Sequence, residues 1–187
     1  IAGGDLSMSS GEATSQKATA NPMLKIRIEK VVVNMCVGKS GEPLEKASKI
    51  LEQLTGQKPC KQKAKKSIRD FGIRKGEPIA CMVTLREERA VAFLKRALQA
   101  IENKVPKDHF DEFGSFSFGI KEHIDIPGTK YVPELGIHGM DVTVALSRPG
   151  QRVKRRHRAK SRVGLEHRLS AEEGAAFVSD QFGIEVT

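Results

Sequence analysis

IACMVTLR, at residues 79–86, has side chains that alternate between two chemically different sets. Successive side chains of a β-strand point to opposite faces. One set is apolar and suits a protein core: Ile79, Cys81, Val83 and Leu85. The other set is mixed: Ala80, Met82, Thr84 and Arg86. This segment therefore predicts a strand with one buried face and one face left free.

Three further segments carry strand patterns. LKIRIEKVVVNMCV, at residues 24–37, is rich in β-branched side chains and is bounded by Gly38 and Gly41, which predicts a central strand. Residues 115–121 and 140–146 alternate cleanly between apolar and polar side chains. We therefore expect four main strands, each with one apolar face.

Three segments show the apolar spacing of amphipathic helices. The first follows Ser40, the predicted capping residue, and runs from Glu42 to Gly56. The second covers residues 87–104. The third covers residues 170–181 and opens on an S-x-x-E sequence, which is typical of a capping box.

Strands, helices and basic loops follow one another in an order that predicts an α+β fold. We expect a mainly antiparallel sheet with helices packed on one face and an open second face. Residues 22–187 are predicted to form a single domain. Residues 1–21 are rich in Gly, Ser, Ala and Thr, which predicts a flexible N-terminal arm.

The open face is expected to carry the polar residues that alternate with the apolar residues of each strand. They are Asn34, Thr84, Arg86, Ser117 and Thr143. Such groups can bind RNA sugars and phosphates, or they can simply face water. The alternation alone does not decide between these two roles.

The charge of the chain points to a polyanionic partner. Lys and Arg number 32 against 23 Asp and Glu, which gives a net charge of +9 and favours nucleic acid or an anionic membrane. No run approaches the roughly 18 apolar residues of a membrane-spanning helix. The three cysteines are widely spaced and form no C-x-x-C pair, which argues against a disulfide framework or zinc site and favours a reducing cytosol.

Residues 58–76 form the first strongly basic segment, which we call the basic finger. Its charges are opposed only by Asp70 and comprise Lys58, Lys61, Lys63, Lys65, Lys66, Arg69, Arg74 and Lys75. Between two strands it is predicted to project as a mobile finger, with Phe71 and Ile73 as the apolar residues at its tip. A solvated loop is the simpler alternative, but the length and purity of the charge favour RNA contact.

Residues 148–168 form the second basic segment, which we call the basic insert. Its cations are Arg148, Arg152, Lys154, Arg155, Arg156, Arg158, Lys160, Arg162 and Arg168, against Glu166 alone. Pro149, Gly150 and Gly164 predict a loop or extended segment that is too charged to bury. Such runs also serve as nuclear-localisation signals or membrane-surface patches, although no apolar face supports a membrane role.

The chain offers little for catalysis. Its five histidines show no metal-ligand spacing, so we expect them to be solvated or RNA-facing and predict no metal site. GKSG at residues 38–41 lacks the rest of a phosphate loop. We therefore predict a non-enzymatic protein with no cofactor and no small-molecule substrate. An RNA-processing enzyme and a stand-alone RNA chaperone are the rival hypotheses.

Three sequence blocks form long, specific patterns: IEKVVVNMCVG (28–38), TGQKPCKQKAKKSIRDFGIRKGEPIACMVTLREER (55–89), and SFSFGIKEHIDIPG (115–128) with GMDVTV (139–144). Together these blocks resemble the ribosomal protein L5 family, the universal large-subunit proteins that bind 5S rRNA. The resemblance covers most of residues 23–186. The long basic insert resembles the archaeal or eukaryotic branch of the family.

The resemblance implies a cytoplasmic ribosomal protein in the central protuberance, whose open sheet face binds 5S rRNA. The matching 5S rRNA-binding residues are Asn34, Gln57, Lys58, Lys63, Thr84 and Arg86. The matching loop toward peptidyl-site tRNA contains Lys65, Lys66, Arg69, Phe71, Ile73, Arg74 and Lys75. The family also implies neighbouring large-subunit proteins and a small-subunit head protein as partners.

The insert is expected to bind further rRNA, either of the large subunit or 5S. Its contributing residues are Arg152, Lys154, Arg155, Arg156, Arg158, Lys160 and Arg162.

Overall fold

The structure is a computed structural model that describes residues 21–186. The predicted N-terminal arm lies outside these residues, apart from Asn21. The strands are β1 (Arg27–Cys36), β2 (Cys60–Lys63), β3 (Pro78–Leu85), β4 (Lys104–Val105), β5 (Phe116–Ile120), β6 (Met140–Ser147) and β7 (Glu185–Val186). The helices are α1 (Glu42–Thr55), α2 (Glu87–Ala100), α3 (Arg152–Arg155) and α4 (Ala171–Phe182).

Five strands form one antiparallel sheet in the order β2-β3-β1-β6-β5. The first strand, β1, lies at its centre, with Val33 opposite Val83 of β3 and Val142 of β6. β4 and β7 form a separate parallel pair. The α+β fold and the antiparallel sheet predicted from the sequence are therefore confirmed.

One face of the sheet is covered and forms the core. α1 contacts β3 and α2 contacts β1, so both helices lie over the central strands. The buried side chains of the sheet alternate along each strand: Val31, Val33 and Met35; Cys81, Val83 and Leu85; Phe116, Phe118 and Ile120; Met140, Val142, Val144 and Leu146. The apolar face predicted at residues 79–86 is confirmed, with Ile79 half-buried at its margin.

α4 lies against the turn that precedes β5 at an unusually short distance. A Cβ added to Gly174 would stand 2.5 Å from the carbonyl oxygen of Gly114 and 2.7 Å from its Cα. Both atoms belong to the backbone, so no side-chain movement can relieve the overlap. The predicted capping box is present: Ser170 Oγ accepts from the Glu173 amide, and the Glu173 carboxylate accepts from the Ser170 amide.

Two helix ends differ from the sequence prediction. Ser40 does not cap α1, because its hydroxyl donates to the Glu77 carboxylate and Gly41 occupies the cap position. α2 ends at Ala100 rather than at residue 104, since Glu102 and Asn103 both adopt left-handed backbone conformations with φ near 57°. The chain then continues into β4.

Candidate nucleic-acid interface

The open face of the sheet carries side chains in rows that run across the strands. One row joins Thr84 of β3 to Val32 of β1, Thr143 of β6 and Ser117 of β5. The next row joins Cys60, Met82, Asn34, Asp141 and Gly119. Asn34 and Thr84, predicted from the sequence, therefore lie in adjacent rows on neighbouring central strands.

The chemistry of this face is polar and mixed. Hydroxyl and amide groups come from Ser117, Thr143, Thr84 and Asn34, and Asp141 adds one carboxylate. The strand positions of this face contain no aromatic side chain, so it has no platform on which unpaired bases could stack. It offers hydrogen-bonding groups and small apolar surfaces, which suit the sugars and groove edges of paired RNA.

β2 was missed by the sequence prediction, which treated its residues as part of the basic finger. It is an edge strand in which Gln62 pairs with Ala80 and brings its amide to the same side as Asn34. A register shift follows and sets Lys63 opposite Pro78. The sequence CKQK has no apolar alternation that could have revealed this strand.

The remaining residues predicted for 5S rRNA lie at the margins of the face. Gln57 and Lys58 are exposed in the turn between α1 and β2. Arg86 is exposed but lies beyond the end of β3, where it precedes α2. It lines a recess with Arg152 and Arg155 of the basic insert. Arg86 therefore lies at the end of the open face, two residues beyond Thr84.

The three cysteines divide between the two sides of the sheet. Cys36 and Cys60 are exposed thiols at positions of the open face. Cys81 is buried on the covered face, where desolvation raises the pKa of its thiol to about 11. The exposed pair can therefore report on contact with the open face.

The basic finger is folded upon itself by backbone hydrogen bonds. The amides and carbonyls of Ile68 and Ile73 bond to each other reciprocally, at 2.9 and 3.1 Å. Phe71 is 73% exposed at the tip, whereas Ile73 is half-buried at this pairing. The prediction of Ile73 as a tip residue is therefore wrong, because its pairing with Ile68 places it below the turn.

Glu77 holds the base of the finger. Its carboxylate accepts from the Ser40 hydroxyl and from the Arg74 amide, and these bonds lower its pKa, the Ser40 bond most strongly. The finger's outward cations are all exposed, and none has an ion-pair partner among residues 21–186. They are Lys65, Lys66, Arg69, Arg74 and Lys75. Their charges remain available to an external anion.

The basic insert is more structured than the sequence predicts. Arg148 is only 9% exposed, and its guanidinium donates to Glu173 at 2.7 Å and to the carbonyls of Glu166 and Arg168 at 3.2 and 3.3 Å. The expectation that no part of this run is buried is therefore wrong. A carboxylate and two carbonyls bind the terminal nitrogens of Arg148, whereas its buried Nε has no hydrogen-bond partner among residues 21–186.

Arg155 and Arg156 are also engaged within the protein. Both terminal nitrogens of Arg155 donate to the Glu29 carboxylate, one of them at 2.7 Å. Arg156 Nε donates to the carbonyl of Ala159 at 2.7 Å. The other cations predicted to bind rRNA are exposed: Arg152, Lys154, Arg158, Lys160 and Arg162.

His123 contradicts the expectation that the histidines face water or RNA. It is 2% exposed and lies beside a cavity of about 290 Å³ between α1, α2 and residues 128–135. Burial lowers the pKa of its imidazole. His167 is half-buried, with Nε2 at 2.7 Å from the carbonyl of Pro149. His123 therefore belongs to the protein interior, whereas His167 is only partly withdrawn from solvent.

Residues 21–186 contain neither a candidate metal site nor a helix that could cross a membrane. No group of three or more His, Cys, Asp and Glu side chains in this region is placed to hold a metal ion. None of the helices described is both long and apolar enough to cross a membrane.

Two protein-family models match most of this chain. The family described as ribosomal protein L5 matches residues 21–74, and the family described as the C-terminus of the same ribosomal proteins matches residues 78–177. The large ribosomal subunit protein uL5 of Pyrobaculum aerophilum is 55% identical over 89% of this chain and 93% of its own length. Proteins of the same name from Sulfurisphaera tokodaii and Nitrosopumilus maritimus are each 49% identical, over 92% and 91% of this chain and 98% of their own.

The resemblance seen in the sequence is thus confirmed, and it lies with archaeal relatives. The chain belongs to the ribosomal protein L5 family, and its role is that of a structural, non-enzymatic protein of the large ribosomal subunit.

Proposed function

We propose that the open sheet face binds 5S rRNA and seats it in the central protuberance. The observation that carries this proposal is the pair of polar rows around Asn34 and Thr84 on the uncovered side of the sheet. Without aromatic platforms, this face suits the 2′-hydroxyls and groove edges of paired RNA better than splayed single bases. Lys63, Gln57 and Lys58 supply charge and hydrogen bonds at its margin.

The basic finger contacts peptidyl-site tRNA in this proposal. Its five outward cations, without ion-pair partners in the described part of the chain, favour a phosphate backbone. Phe71 projects from the tip with most of its ring exposed, which suits contact with another molecule. Reciprocal backbone hydrogen bonds between Ile68 and Ile73 close the turn that carries Phe71.

Two other surfaces complete the proposal. The exposed cations of the basic insert bind further rRNA. Tyr131 and Ile137, between β5 and β6, are each more than half exposed and offer apolar contacts to a neighbouring ribosomal protein. The outer surface of the protein helps to bridge to the small-subunit head.

Cysteine protection tests where RNA binds. The protein is reacted with a maleimide in the presence of 5S rRNA, a tRNA or an unrelated hairpin, at several salt concentrations. We expect 5S rRNA to protect Cys36 and Cys60, while buried Cys81 stays unreactive throughout and serves as the internal control. Equal protection by all three RNAs would instead indicate a general RNA chaperone, since electrostatics alone does not discriminate among them.

Substitutions test the division between face and finger. Asn34→Ala with Thr84→Ala removes two groups of the open face and should weaken 5S rRNA binding by about 1–3 kcal/mol. Replacing Lys65, Lys66, Arg74 and Lys75 by Ala should leave 5S affinity largely intact and weaken binding to tRNA-loaded ribosomes. If the finger variant alone abolishes 5S binding, the proposed division is wrong.

A further inference from the structure

Two recesses lie side by side where the basic insert meets the end of the sheet. They have volumes of about 570 and 210 Å³ and share four lining residues: Glu29, Ser147, Gln151 and Arg155. The larger recess adds Arg27, Arg86 and Arg152, and the smaller adds Lys154, Arg162 and Arg168. Cations thus line both recesses, with the Glu29–Arg155 ion pair at their junction.

Glu29 lies in a β-bulge of β1. The register between β1 and β6 shifts between Ile28 and Lys30, so Glu29 is the extra residue of a β-bulge. A bulge redirects one side chain out of the regular alternation. The Glu29 side chain is only 13% exposed, and its carboxylate is held by both terminal nitrogens of Arg155.

This ion pair leaves binding capacity on Arg155. A guanidinium has five N–H donors, and the contact with Glu29 uses two of them. The Arg155 side chain is 57% exposed, so its remaining donors can reach an external anion. Glu29 thus fixes the direction of the guanidinium without neutralising the whole recess.

A second backbone feature converges on the same place. Glu87 lines the larger recess and is a non-glycine residue with φ of 54° at the start of α2. Such conformations carry a cost and occur often at binding sites. Arg86, which precedes this turn, is still extended with φ of −137°, so it continues the alternation of β3 toward the end of the open face.

We propose that the two recesses form one track for the phosphate backbone of a single RNA segment, with Glu29 as its positioning residue. Arg86 binds on this track together with Arg27, Arg152 and Arg155, at the end of the open face beyond Thr84. The ligand is a ribose-phosphate backbone, recognised by charge rather than by base identity. This inference rests on the proposed rRNA binding of the chain.

Glu29→Gln distinguishes two roles of Glu29, because repulsion of RNA and positioning of Arg155 predict opposite changes in RNA affinity. If Glu29 merely repels RNA, its neutralisation strengthens binding. If it positions Arg155, we expect binding about fivefold weaker and a salt dependence shallower by roughly one phosphate contact, despite the added positive charge. The probes are 5S rRNA and a short RNA duplex of arbitrary sequence. Glu52→Gln, an exposed site on α1, is the matched control and should not weaken binding.

Further variants separate positioning from folding. Glu29→Asp keeps the charge and should recover part of the affinity, and thermal unfolding of each variant shows whether the fold is intact. If Glu29→Gln does not fold, Arg152→Gln tests the track, because Arg152 is exposed and its removal should lower affinity at unchanged stability. Tighter or unchanged binding in the folded variants overturns the inference.

Different results would refute the proposed 5S rRNA binding and the proposed phosphate track. Arg86→Gln should lower the salt dependence while 5S rRNA still protects the two exposed cysteines. Loss of that protection would show that Arg86 acts with the polar rows around Asn34 and Thr84, and it would refute the track. If wild-type protein shows no preference for 5S rRNA but Glu29→Gln still weakens duplex binding, the proposed 5S function fails and the track remains.

Discussion

Replacement of Arg148 by Ala should destabilise the protein far more than replacement of any exposed cation of the same basic insert. Arg148 is buried and donates to the Glu173 carboxylate and to the carbonyls of Glu166 and Arg168. Breaking a buried ion pair costs about 3–5 kcal/mol. Because the Glu173 side chain is 43% exposed, water recovers part of this loss, and we expect about 2–3 kcal/mol.

Thermal unfolding of two variants measures this difference. For a protein of this size each kcal/mol shifts the midpoint by about 2–4 °C, so Arg148→Ala should unfold roughly 4–12 °C lower than wild type. Arg158→Ala is the matched control, since its exposed side chain has no partner within the described part of the chain and should change stability by under about 0.5 kcal/mol. Equal midpoints for the two variants would refute the structural role of Arg148.

Three further predictions follow from buried groups. Gly174→Ala should lower stability by about 1–2 kcal/mol in urea unfolding, because overlap with the Gly114 backbone outweighs the gain in helix propensity, and a more stable variant would contradict this. The free energy of unfolding should decline as pH falls below about 6.5, because the His123 imidazole takes up a proton more readily in the unfolded chain than in the folded protein, where its pKa is lowered. His123→Gln should therefore flatten this pH dependence. A disulfide exchange reagent should titrate two thiols in the native protein and a third only after denaturation, because Cys81 is buried with a raised pKa, and three fast native thiols would contradict this burial.

The main sheet was predictable from the sequence because only one of its faces is covered. Burial of alternate residues produced the period-two pattern of β5 and β6 and of residues 79–86. β2 gave no such pattern, since an exposed edge strand does not require apolar residues. β4 and β7 pair through two residues each and join segments about 80 residues apart, so no local sequence pattern reports them.

The candidate interface was predictable only in part, for the same physical reason. Asn34 and Thr84 follow from alternation within their own strands. The ion pair between Arg155 and Glu29 joins residues 126 positions apart, and the burial of Arg148 depends on a carboxylate in a later helix. Residue type alone made these arginines look alike, whereas tertiary contacts decide which of them remain free for RNA.

The central position of β1 has a consequence for the synthesis of the protein. One edge of β1 can pair with β3 early, but its other edge waits for β6, whose residues emerge only after 86–139 have been made. At ordinary translation rates of about 5–20 residues per second, this interval lasts on the order of 3 to 10 s. During it, the nascent chain exposes an apolar strand edge that can pair wrongly. We therefore expect the nascent chain to need a chaperone most while β1 and β3 have been synthesised and β6 has not.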